Sequence, residues 1–95
     1  MRRTKSYDKF LKRRLKNPRE ASAYLSAVLD EDDPKLFLDA LREVAEANGN
    51  WSRLARRVRV SRVGLYKSLS ANGNPAFRTV RNLLHACDLK LSVHA

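Results

Sequence analysis

WSRLARRVRVSRVGLYKSLS, residues 51–70, holds two apolar periods separated by a corner. Leu54, Ala55 and Val58 stand at i, i+1 and i+4, which places them on one side of a helix of about two turns. Arg59 and Val60 interrupt that period. Ser61 is a good N-cap residue, and Leu65 and Leu69 then open a second stripe at i and i+4. Two helices that cross steeply over a short turn need a small residue where their backbones approach, and Ala55 falls there. Val60 is expected to plug the corner between Leu54 and Leu65. With those side chains inward, Arg62, Val63, Tyr66 and Lys67 share the opposite face of the second helix, close to its N-terminus. The pattern predicts a helix-turn-helix whose second helix can meet base edges in the major groove of DNA.

Periodicity alone leaves an ordinary helical hairpin with a solvated basic face equally open. Charge separates the two readings: Arg53, Arg56, Arg57, Arg59, Arg62 and Lys67 put six cations into twenty residues that hold no acid. Such repulsion is tolerated most readily where the partner is a polyanion.

The whole chain agrees with that reading. Its 95 residues suffice for one domain with a modest core, and 43% hydrophobic residues fit a globular protein rather than a disordered one. The formal charge is +10 and the isoelectric point about 10.5. The charge is unevenly spread: +7 over residues 1–18, −5 over residues 19–48 and +8 over residues 49–95. The middle is therefore the acidic side of a basic molecule, expected to face away from DNA or toward a basic protein. Cys87 is the single cysteine, so no internal disulfide can form and a reducing compartment is the simplest inference. No signal-peptide run or membrane-length apolar segment is present, which predicts a soluble, cytoplasmic protein. No glycine-rich phosphate loop, nucleophile–base pair or metal-ligand spacing occurs, so neither an enzyme nor a metal or cofactor site is expected.

Residues 1–16 read as a basic N-terminal arm, mobile at first, with a short helix from about Tyr7 to Lys16 on which Tyr7, Phe10, Leu11 and Leu15 form the apolar side. Residues 17–95 read as a single helix-turn-helix domain with its recognition helix at about 61–70. Asn17 caps the next helix, Pro18 takes the first position and Glu20 the capping-box position, and Ala21, Tyr24, Leu25, Val28 and Leu29 form its apolar stripe. Asp33-Pro34 repeats the device, and Leu36, Phe37, Ala40, Leu41, Val44 and Ala45 form a wide stripe that ends at Asn48-Gly49. After the helix pair, residues 70–75 are loop by composition. A last helix should bury Phe77, Val80, Leu83, Leu84 and Cys87, and Asp88 should end it. Leu89, Leu91 and Val93 then alternate with polar residues like a strand, and a lone strand points to pairing with its copy in a homodimer.

The run Asn48–Val93 resembles the antidote proteins of addiction modules, a HigA-like branch of the λ Cro/repressor-like (XRE) helix-turn-helix group. LAR, the VSR corner, LYKSLS, GNPAF and LKLSV carry the resemblance, which extends weakly upstream through AYLSAVLDEDDPKLFLDAL. It implies an all-α, five-helix λ-repressor-like domain behind an N-terminal helical extension, with a C-terminal strand able to pair across a dimer. It also implies a double-stranded DNA operator and a neighbouring RelE/ParE-type toxin as partners. Carried over residue by residue, Ser61, Arg62, Val63, Tyr66 and Lys67 face bases. Ser52, Arg53, Asn74 and Arg78 hold phosphates. Two positions depart from the group: Arg59 and Asp88 stand where glycine is usual, and a left-handed backbone would cost Arg59 on the order of 1 kcal/mol.

Arg56, Arg57 and Arg81 join Arg53 and Arg78 as phosphate candidates, which set register without reading sequence. Arg62 can fork onto a guanine, Lys67 can reach a guanine or a phosphate, and Val63 can meet a thymine methyl. Tyr66 reads equally as a core aromatic, and Trp51 better as a packing anchor than as a DNA wedge. Gly64 weakens the second helix by roughly 0.5–1 kcal/mol and can let its backbone approach DNA. A toxin would be met by the acidic residues Glu20, Asp30, Glu31, Asp32 and Asp33. The alternative is a stand-alone transcriptional regulator of the same group without a toxin. RNA binding competes less well, because aromatics able to stack on bases are few.

Overall fold

A computed structural model of the chain describes residues 4–95. Six helices follow one another: α1 (Lys5–Leu15), α2 (Pro18–Leu29), α3 (Pro34–Ala47), α4 (Trp51–Val58), α5 (Arg62–Ser68) and α6 (Phe77–Ala86). Short polar residues set most of their starts by accepting orphan backbone N–H bonds. Thr4 Oγ1 accepts from the Tyr7 N–H at 3.0 Å, Asn17 Oδ1 from Arg19 at 2.9 Å and Asp33 Oδ1 from Lys35 at 3.0 Å. Asn50 Oδ1 accepts from Arg53 at 3.0 Å and Ser61 Oγ from Gly64 at 2.9 Å, while α6 starts after Ala76 with no side-chain cap. Thr4 thus starts α1 two residues earlier than expected. The expectation of a mobile arm otherwise falls on residues 1–3, outside the described residues. Glu20 closes no capping box, because its carboxylate is taken by Arg14 at 2.7 Å.

The long helix α3 is the spine, with α1, α2 and α4 packed against it; α4 in turn packs on α5 and α6. Its buried face is Ala40, Leu41, Val44, Ala45 and Ala47, and the core around it gathers Leu15, Leu25, Leu54, Leu65, Leu69 and Leu83. Small residues on α3 and Ala55 on α4 let the helices approach closely, and Ala55 is buried as its place at the crossing requires. Polar side chains then lock the elements together. Tyr24 Oη donates to Glu43 Oε2 at 2.6 Å between α2 and α3, and Asn48 Nδ2 donates to Val44 O at 2.8 Å and Leu15 O at 3.4 Å.

Arg59 and Asp88 both carry a left-handed backbone, with φ 66° and φ 62°. Each closes a helix by the same pair of bonds. At α4 the Val60 N–H donates to Ala55 O at 3.1 Å and the Arg59 N–H to Arg56 O at 3.3 Å. At α6 the Leu89 N–H donates to Leu84 O at 2.8 Å and the Asp88 N–H to His85 O at 3.0 Å.

These closures correct two expectations. Val60 does not plug the corner: it follows the left-handed reversal at Arg59 and is exposed, while Val58 before the reversal is buried. The closure at Asp88 folds Leu89 into the core and leaves Leu91 and Val93 exposed, so these three residues do not act as one strand face. No strand occurs among the described residues, as expected of a single chain that offers the tail no neighbouring backbone. Leu29, Leu36 and Phe77 are also exposed rather than buried. They stand in the end turns of α2, α3 and α6, where the stripe has already rotated off the core.

Candidate nucleic-acid interface

Helix α5 is short, seven residues, and depends on its seat. Leu65 and Leu69 are fully buried beneath it, while Arg62, Val63, Tyr66 and Lys67 are exposed on the other side. Tyr66 is therefore a surface residue and not a core aromatic. Ser61 is engaged at the N-terminus, its hydroxyl accepting the Gly64 N–H. An added Cβ at Gly64 would stand 2.7 Å from that hydroxyl, so the missing side chain leaves room for the cap.

Trp51 joins this face. It begins α4, is half-buried, and sets its ring against that of Tyr66 with centroids 5.5 Å apart and planes at 78°. Trp51, Arg62, Val63, Tyr66 and Lys67 line one open hollow of about 370 Å³. Four of the five base-facing candidates thus meet around a single notch, with a tryptophan from the first helix as its further wall.

The C-terminal end of α5 is held from two sides. Arg42 of α3 donates to Leu69 O at 3.2 Å while its other nitrogen lies 3.4 Å from Asp39 Oδ1. Gly73 comes so close to the helix end that a Cβ there would lie 2.1 Å from Ser68 O and 2.6 Å from Lys67 O.

Among the phosphate candidates, Ser52, Arg53, Arg56, Arg78 and Arg81 are exposed on α4 and α6. Arg57 is also exposed, but its guanidinium donates to Ala86 O at 3.3 Å, supplying a cation to the negative end of α6. Asn74 lies apart from these: it lines a groove of about 360 Å³ together with Asp32 and Asp33, where carboxylates oppose a phosphate. Asp30, Glu31, Asp32 and Asp33 form one exposed turn between α2 and α3. Glu20 is not part of it, standing near the opposite end of α2 in its ion pair with Arg14.

Cys87 is buried, and its thiol is pushed up to about 11 by that burial, helped by Asp88 and opposed by Arg57. Among the described residues no group of three His, Cys, Asp or Glu side chains could hold a metal ion. Among the same residues no helix is long and apolar enough to cross a membrane.

Trp51 was missed as a member of the face because its partner Tyr66 is fifteen positions away. The only signal was its place three residues before Leu54, on the edge of the same stripe. Arg42 gives no such signal, since an arginine beside an apolar stripe is ordinary.

The structure thus defines an all-helical protein with a cationic two-helix corner on its surface. Residues 4–95 match the family described as probable addiction module antidote protein, and the chain belongs to that family. An uncharacterized protein of Haemophilus influenzae is 43% identical over 79 residues, which cover 83% of this chain and 80% of that one. No solved structure matches the chain. Membership of an antidote family implies a toxin as partner.

Proposed function

We propose that the protein is a sequence-specific double-stranded DNA-binding antitoxin, a λ-repressor-like regulator of the XRE group that binds as a homodimer and represses its own operon. The supporting observation is the exposed face of α5, where Arg62, Val63, Tyr66 and Lys67 gather over a fully buried Leu65–Leu69 seat. Base reading falls to these four residues, with Ser61 fixing the start of the helix. Ser52, Arg53, Arg56, Arg78 and Arg81 neutralise phosphates. Arg57 acts mainly by tying α4 to α6.

The homodimer is supported by apolar surface along α6 and the tail. Phe77 is 70% exposed and Val93 97%, and Leu29, Phe37, Leu89 and Leu91 share a second groove of about 260 Å³. The antitoxin role follows from the family, and we assign contact with a basic RelE/ParE-type toxin to the Asp30–Asp33 turn. Glu20, paired with Arg14, contributes less.

Selection from random duplexes tests the reading. A palindromic site should emerge, and its affinity should fall steeply with salt. Arg62→Ala should weaken that site by about 1–3 kcal/mol relative to random DNA. An unchanged ratio of specific to random binding would remove Arg62 from base reading. Failure to select any sequence would refute DNA recognition itself. Co-expression with the product of an adjacent toxin-sized reading frame tests neutralisation, and the absence of such a frame would favour a stand-alone regulator.

A further inference from the structure

Trp51 belongs to α4, the supporting helix, yet it completes the hollow that α5 presents outward. The composition of that hollow is specific. Trp51, Val63 and Tyr66 supply apolar walls, and Arg62 and Lys67 supply charge beside them. Val63 is 62% exposed and Tyr66 50% exposed, so this apolar surface is open to a partner. The edge contact with Trp51 restrains the Tyr66 ring, so the hollow is held in shape before anything enters it.

On the DNA-binding reading, on which this inference rests, one group in the major groove suits such a surface. Thymine alone among the four bases carries an apolar substituent there, its C5-methyl group; cytosine offers a bare C–H at the same position and an amino donor beside it. Cations flanking an apolar spot match a methyl group set between phosphates, and the surrounding sequence, +8 over residues 49–95, favours a polyanion. We infer that the Trp51–Val63–Tyr66 hollow is a thymine-methyl subsite, and that Trp51 is a specificity-determining residue supplied by the first helix of the pair.

The subsite is tested on a duplex obtained by random selection, with each thymine replaced singly by deoxyuridine, which deletes the methyl and keeps every hydrogen-bonding group. With the wild-type protein, one position per half-site should lose about fourfold in affinity, the effect of burying one methyl group. Trp51→Ala should bind the thymine duplex more weakly and respond less to the thymine–uracil exchange at that position, whereas Trp51→Phe should retain most of the response. This ratio separates reading from support, because a merely structural Trp51 would weaken both duplexes alike. Melting curves confirm that the variants are folded at the assay temperature. A selected palindrome with no uracil-sensitive position would overturn the subsite and leave DNA recognition standing. A sensitive position whose ratio is unchanged in Trp51→Ala would overturn the role of Trp51. If no duplex is selected, the DNA reading fails and the subsite with it.

Discussion

Gly73→Ala is a small change with a large expected effect. The added Cβ would lie 2.1 Å from Ser68 O, 2.4 Å from Ser68 C and 2.6 Å from Lys67 O. All three are backbone atoms at the end of α5, so no side chain can rotate away. Ordinary carbon contacts require about 3.5–4.0 Å, and the loop must therefore retreat from the helix by more than about 1 Å. Overpacking of this kind costs about 1–3 kcal/mol, here toward the upper end because rigid backbone opposes it. Replacing glycine also stiffens the unfolded chain, which offsets about 0.4–1 kcal/mol. The net loss is about 2 kcal/mol, and at about 4–8 °C per kcal/mol for a domain of this size the midpoint should fall by about 8–16 °C. Helical ellipticity against temperature measures it. Because the crowded carbonyls belong to Lys67 and Ser68, DNA affinity measured well below the new midpoint should fall as well. A variant that melts within about 2 °C of the wild type would refute the close approach of the 70–76 loop to α5.

Ser61→Ala removes the Oγ that accepts the Gly64 N–H and should cost about 1 kcal/mol, read by urea unfolding; an unchanged midpoint would mean that the cap is idle. Arg59→Gly relieves a left-handed residue at φ 66° and should raise the urea midpoint, by up to about 1 kcal/mol of stability; a lower midpoint would refute strain at this position. Cys87 sets a pH dependence. Its folded-state value near 11 exceeds the ordinary thiol value of 9.0, so the unfolded chain releases the proton first. Stability from this group is then complete below about pH 9 and is lost as pH rises toward 11, by on the order of 2–3 kcal/mol. Urea titrations across that window should show a decline that Cys87→Ala lacks, and an equally steep decline in the variant would exclude the thiol.

What the sequence discloses is what local chemistry decides. Asn17-Pro18 and Asp33-Pro34 start helices with a cap and a proline, and each places its helix within a residue. The corner at residues 59–61 is also legible, because a broken period and a serine cap leave few alternatives. The misread positions lie where an element ends. Phe77 fits the α6 stripe by spacing but occupies its first turn, beyond the packed region, and Leu29 closes α2 in the same way. The tail shows a different failure. Leu89, Leu91 and Val93 alternate as strand residues do, yet the closing bond from Leu89 to Leu84 O draws the first of them into the core. That bond depends on Asp88 accepting a left-handed backbone, and no period of apolar residues encodes it.

Two arginines brace the cationic corner from outside the exposed face of α5. Helices α5 and α6 each end with carbonyls that carry partial negative charge, and each end receives a guanidinium from another helix: Arg42 at Leu69 O and Arg57 at Ala86 O. The first fixes α5 to the spine α3, and the second fixes α4 to α6. A seven-residue helix cannot hold its own orientation in water, so its bearing relative to α4 and α6 must come from such attachments and from the Leu65–Leu69 seat. A surface excess of arginine is commonly read as contact with a polyanion. Here part of it is structural: among the arginines of residues 53–62, Arg57 ties α4 to α6, while Arg53, Arg56 and Arg62 stand exposed on the same corner.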